Sequence, residues 1–192
     1  MPKQQWKGST LLAPVPVVMV SCGTMEKPNI ITIAWTGIVC SQPPMTYISI
    51  KPERHSYDII KNSKQFVINL VSEDLARAAD YCGVKSGRDT DKFEKCKLKA
   101  QKAFKIDCPA IAQSPICLEC KVTDIVKLGS HDMFLAEIVS VDVDDYLLNK
   151  NDKLNIKKAN LCTFAHGEYF KVGASIGTFG HTVRKKPLQK KR

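Results

Sequence analysis

Apolar and polar side chains alternate with a period of two over much of this chain, and no other feature limits its possible folds so strongly. Residues 133–144 show it openly, with Val139, Val141 and Val143 set against Ser140, Asp142 and Asp144. Successive strand side chains point to opposite faces, so such a segment buries one face and wets the other. Residues 15–21, 30–35, 46–51, 66–71 and 116–128 read as further strands, and a last strand or turn set lies around 159–170. Only two segments favour helix. Residues 56–61 form a short one, with Ser56 placed to cap its start. Residues 72–81 are stronger: Ser72 caps, Glu73 and Asp74 suit the positive end of the dipole, and Leu75, Ala78 and Ala79 make an inward face. A polar, basic connection over residues 82–105 separates two β-rich halves, and Asp91-Lys92-Phe93 begins a helical turn within it. The expected fold class is mainly β with short helices, a barrel or sandwich whose helices cover one end.

Length and charge bound the organisation. A chain of 192 residues is expected to form one domain, here residues 1–183, followed by a basic tail over 184–192. Six of the charges behind the net +10 sit in those last nine residues, which leaves +4 for the rest. The tail reads as a solvated, disordered end. No basic patch with interleaved aromatics marks a nucleic-acid surface, so none is expected as a partner. No apolar run reaches the roughly 20 residues that span a bilayer, and no membrane association is expected. The first apolar stretch is broken by Pro14 and Pro16 and reads as the start of a strand rather than a signal peptide. A cytoplasmic location is the resulting expectation.

Eight cysteines, several inside apolar runs, read as buried reduced thiols. Cys117 and Cys120 form a lone CxxC inside a strand-like alternation, which would turn them to opposite faces. No second pair stands at zinc spacing, and no metal site is expected. The four histidines show no metal spacing either, and no nucleophile–base pattern is readable.

Common nucleotide folds are also excluded. There is no strand–GxGxxG–helix unit and no GxxxxGK[ST]. A different device occupies residues 41–70: a Pro-Pro break, a strand, a polar turn, a helix and another strand. Arg54, His55 and Ser56 fall where strand gives way to helix. A helix start presents free N–H groups and a positive dipole end, which together favour an anion. The strand before it carries Ser49 and Lys51 on its polar face, and Arg suits bidentate phosphate contact. The same face also reads as an ordinary solvated one, with Ser56 merely capping its own helix. Lys92 is placed either to reach the anion or to sit on the surface. Upstream, small and polar residues after Trp35, running through Thr36 to Cys40 and Ser41, would let a flat heteroaromatic ring lie on the backbone. They also read as an edge strand leading to a loop. His131 reads as a turn residue before a long strand.

Taken in order, NIITIAWTGIVCSQPPMTYISIKPERHSYDIIKNSKQFVINL, SGRDTDKF, SHDMFLAEIVSVDVD and GEYFKVGASIGTFG resemble the flavin reductase-like family, close to its flavoredoxin branch. The resemblance implies an FMN-binding split β-barrel, homodimeric, with FMN near the dimer interface. It implies Trp35, Thr36, Cys40 and Ser41 along the isoalloxazine. It also implies Ser49, Lys51, Arg54, His55 and Ser56 at the phosphate, Lys92 assisting, and His131 as a catalytic candidate near the flavin or nicotinamide. The activity implied is hydride transfer from NAD(P)H to FMN and onward to an acceptor. The alternative is a non-enzymatic FMN carrier exchanging electrons with a redox protein partner.

Overall fold

A computed structural model describes residues 1–183. The expected disordered tail, residues 184–192, lies outside the described residues. The strands are β1 (Val15–Pro16), β2 (Val18–Gly23), β3 (Pro28–Ile33), β4 (Thr36–Ser41), β5 (Pro44–Ile50) and β6 (Gln65–Leu70) in the first half. The second half supplies β7 (Ala100–Lys102), β8 (Pro109–Ile111), β9 (Ile116–Leu128), β10 (His131–Val143), β11 (Cys162–Ala165) and β12 (Glu168–Lys171). Three helices interrupt them: α1 (His55–Ser63), α2 (Ala76–Val84) and α3 (Lys92–Lys95). Among the described residues no helix is long and apolar enough to cross a membrane.

Seven strands form one antiparallel sheet in the order β3-β2-β6-β9-β10-β5-β4, with smaller sheets β1-β11-β12 and β7-β8 beside it. The main sheet is curled. Val20 of β2, Ile31 of β3, Ile50 of β5, Phe66 of β6, Cys120 of β9 and Phe134 of β10 all share one buried cluster. Strands at opposite sides of a flat sheet could not meet in this way. α1 plugs this interior with Tyr57 and Ile60. The period-two rule then explains the second core. In β2, Val18, Val20 and Cys22 face the interior, so Val17 and Met19 face outward. Those outward residues are covered by Leu75, Ala79 and Cys82 from the α2 segment and by Phe93 of α3. Each fully buried Ile or Phe contributes about 1.5–3 kcal/mol, so two such layers hold the sheet from both sides.

The strand pattern is close to expectation, and β9 spans the predicted residues 116–128. It pairs with β10 from Ile116↔Val143 to Leu128↔His131, with two register shifts. Cys117 and Cys120 do fall in different clusters, on opposite faces. No disulfide joins the eight cysteines; six are buried, Cys96 is partly exposed and Cys40 is exposed.

The residues after Trp35 form the edge strand of one of their two readings, β4 paired with β5, and the Pro43-Pro44 break is the hairpin turn between them. Two expectations are corrected. His131 is the first residue of β10, not a turn residue. Neither expected serine caps with its side chain: Arg54 occupies the cap position of α1, and Ser72 precedes a 3₁₀ turn over Glu73–Leu75 without donating or accepting there. Ser56 instead lies inside the first turn, buried, and its Oγ accepts from Asn29 Nδ2 at 2.7 Å.

Candidate functional site

The ends of β3 and β5 and the start of α1 meet at one place. Lys51 O accepts from Arg54 N–H (3.0 Å) and Arg54 O from Tyr57 N–H (2.9 Å), which winds the chain straight from strand into helix. No side chain caps that helix start. A helix leaves its first N–H groups without intrahelical partners, so this end is an electropositive donor set.

A hollow of about 150 Å³ opens there, lined by Arg54, His55, Ser56, Ser86, Gly87, Arg88 and Lys92 among others. Its cations are anchored in a particular way. Arg54 Nη2 donates to Gly83 O at 3.0 Å, and Arg88 Nη1 to Glu53 O at 3.0 Å. Lys92 Nζ donates to Ile30 O at 2.7 Å and to Cys82 O at 2.8 Å. Lys92 is therefore not a surface lysine; it is 5% exposed, and burial pulls its pKa down. Among the described residues none of the three makes an ion pair. Their charge is held in place by neutral acceptors and is not cancelled.

The loop after α2 closes over this hollow at Gly87. A Cβ there would stand 2.1 Å from Asn29 Oδ1 and 2.8 Å from His55 Cδ2, so only glycine permits the approach. His55 has its pKa lowered, first by burial and then by Arg88 and Lys92.

A second hollow of about 150 Å³ shares Ile31 and Arg54 with the first. It runs along the backbone of residues 31–35, past Ser49 and Lys51, to Trp35 and His131. The Trp35 and His131 rings lie 4.3 Å apart, tilted by 47°. Ser49 N–H donates to Trp35 O at 2.9 Å, and Ser130 Oγ lies 2.9 Å from His131 Nδ1. Burial, followed by the Lys51 charge, lowers the His131 pKa. Lys51 itself reaches Glu53 at 3.8 Å on an exposed surface. Across Trp35 the cleft continues into a space of about 400 Å³ under Leu11, Leu12, Phe164 and His166.

Of the residues singled out in the sequence, Trp35, Ser49, Lys51, Arg54, His55, Ser56, Lys92 and His131 line this pair of hollows. Thr36, Cys40 and Ser41 do not, within one copy. β4 runs away from Trp35 as a paired strand, from Thr36↔Ile48 to Ser41↔Pro44. The buried Thr36 hydroxyl donates to Tyr47 O at 2.6 Å and so serves the hairpin. Cys40 and Ser41 sit exposed at its far end, where Cys40 Sγ contacts Pro43 O at 3.0 Å. The sequence reading also leaves out Asn29, Gly87 and Arg88. Asn29 orients Ser56, and the Ser86-Gly87-Arg88 run supplies the facing wall. The glycine in that run was the one visible signal.

Comparison with known proteins places the chain by family and fold. A family model described as a flavin reductase like domain matches residues 11–171. The flavoredoxin of Desulfovibrio vulgaris (Miyazaki F) is 31% identical, with a TM-score of 0.86 over 92% of this chain and 97% of that one. An FMN-binding protein of Thermus thermophilus shares the fold at 18% identity, with a TM-score of 0.77 over 93% of this chain and 97% of that one. The NADPH-flavin oxidoreductase of Streptomyces viridifaciens is 22% identical over 138 residues, 71% of this chain and 70% of that protein.

Proposed function

Because the chain belongs to the flavin reductase-like domain family, we propose that it binds FMN and carries a hydride from NAD(P)H through it to an acceptor. The observation behind this reading is the set of uncancelled cations at an uncapped helix start: Arg54, Arg88 and Lys92 around the first turn of α1. That donor set fits a phosphate. Arg54 and Arg88 retain guanidinium N–H groups beyond the one each gives to a carbonyl, and Ser56 and the helix N–H groups add neutral donors. The adjoining hollow suits a flat ring: the backbone of residues 31–35 offers N–H and C=O groups, and Trp35 and His131 close its end. When bound, FMN would supply the redox chemistry, taking a hydride from a nicotinamide and returning electrons to an acceptor. The protein binds, orients and excludes water; His131 walls the ring site beside Trp35.

A homodimer belongs to the same proposal. β4 exposes Ile38 and Val39 beside Cys40 and Ser41 at the sheet edge, an apolar strip that a second copy would cover. Through that contact Cys40 and Ser41 would reach a flavin they do not reach within one copy. Reduced thiols fit a cytoplasmic setting.

The flavoredoxin likeness, at 31% identity, favours a second reading: a carrier that keeps FMN bound and trades electrons with a redox protein. The test is to record the absorbance of the purified protein and then mix it with NADH, NADPH or a reduced ferredoxin-like protein. Flavin bands that bleach with a nicotinamide support the reductase. Fast bleaching only by the protein donor supports the carrier. A colourless protein that takes up no added FMN contradicts both.

A further inference from the structure

At the wall of the first hollow, which Cys82 helps to line, the structure brings two thiols together. Cys82, near the end of α2, and Cys96, at the C-terminal cap of α3, have their sulfurs 3.9 Å apart. The other thiols contact different groups: Cys22 lies near the Asn29 amide, Cys108 near Ser21 O, Cys117 near Asn69 Oδ1 and Cys120 near Leu118 O. Cys82 is buried, but Cys96 is partly exposed and borders a separate groove of about 960 Å³. That groove carries Arg77, Lys95, Lys97 and Lys158 against only Asp74 and Asp144. Its excess of cations suits a small molecule bearing carboxylates.

We propose that Cys82 and Cys96 form a two-electron thiol/disulfide site, oxidised by a low-molecular-weight disulfide of anionic character that reaches Cys96 through this groove. The Cys96 thiolate attacks one sulfur of the small disulfide, and the other half leaves as a thiolate and takes up a proton. The Cys82 thiolate then attacks the Cys96 sulfur of the mixed disulfide and expels the second half in the same way. The protein loses two electrons and two thiol protons; the small disulfide becomes two thiols. To bond, the sulfurs must close from 3.9 Å to about 2.05 Å, a movement of about 2 Å. Cys96 borders the groove and Cys82 is buried and does not line it, so Cys96 meets the small disulfide first and Cys82 resolves; burial also pushes the Cys82 thiol up to about 12.

The bridge would be felt at Lys92. Cys82 O accepts from its ammonium at 2.8 Å, and Cys96 N–H donates to Lys92 O at 3.1 Å. The bridge itself needs no flavin and stands apart from the FMN reading.

The test treats the reduced full-length protein with glutathione disulfide and maps its peptides by mass spectrometry without reduction. The expected result is a glutathione adduct on Cys96 first, then a linked Cys82–Cys96 peptide. In Cys82→Ser the adduct on Cys96 persists, and in Cys96→Ser Cys82 stays unmodified. An adduct on the exposed Cys40 alone, or Cys96 bridged to any other cysteine, overturns the proposal.

Discussion

The interior of the barrel and the cleft at its mouth treat polar groups in opposite ways. Inside, the buried Asp132 carboxylate accepts from the Tyr57 hydroxyl at 2.5 Å, and the phenol packs edge-on against Phe134. That hydrogen bond, with burial adding, pushes the Tyr57 pKa up to about 12, so the phenol stays a donor. It faces inward and has nothing to offer a ligand. In the cleft, Arg54, Arg88 and Lys92 are tied to the carbonyls of Gly83, Glu53, Ile30 and Cys82. A carbonyl fixes a cation's position and leaves its charge intact, whereas a carboxylate would neutralise it. The difference separates a stability device from a binding device, and each can be broken independently.

The largest expected effect is on the barrel alone. Phe134→Ala empties a fully buried ring position and is expected to lower stability by about 3–5 kcal/mol in urea unfolding. The folded fraction should still bind FMN more tightly than an Arg54→Ala protein does. In the cleft, Arg54→Ala removes a charged donor from a mostly exposed position. FMN affinity is expected to fall by about 1.5–3 kcal/mol, roughly 10- to 100-fold by fluorescence titration, with little change in thermal midpoint. Tyr57→Phe returns to the barrel: it leaves the Asp132 carboxylate unpaired and is expected to cost about 1–3 kcal/mol of stability, with FMN affinity retained. If it weakened FMN as much as Arg54→Ala does, the separation of the two regions would be wrong.

The smallest effect is one of pH. His55 and His131 both have folded-state pKa values below the usual 6.5, burial being the first cause in each. As the pH falls below 6.5, the unfolded chain takes up protons that the folded chain resists. Stability is therefore expected to fall from pH 6.5 down through the two folded-state values. Bound FMN should flatten this slope, because a phosphate beside His55 favours its charged form, and riboflavin should not. Urea midpoints measured across that range with each ligand check the point.

The barrel was the more legible region. Its strands announce themselves by period, because one face of each is buried: β9 was bounded as predicted, and the inward-facing Ile48 and Ile50 of β5 could be read directly. β4 was legible only as one of two readings, because its outer residues, Ile38 to Ser41, are exposed in one copy and show no alternation. The cleft was legible only where its residues are consecutive. Arg54, His55 and Ser56 share one junction, and the sequence placed them together. Asn29, Gly87 and Arg88 reach the same place from β3 and from the loop after α2, by contacts of long sequence separation that no local pattern encodes. Lys92 was placed in the right region but in the wrong environment, since its burial depends on carbonyls 62 and 10 residues away. Ser56 was read as a cap from its position, but the cap is Arg54, two residues earlier, and Ser56 turns inward to Asn29.

The central claim is that the cleft recognises a phosphate through cations held by neutral acceptors. The most direct measurement compares FMN and riboflavin on the unaltered protein, since the two ligands differ only by that phosphate. FMN is expected to bind at least about 100-fold more tightly, a difference of about 3 kcal/mol or more, and to lose most of that advantage in Arg54→Ala. Equal affinity for the two ligands would contradict the claim.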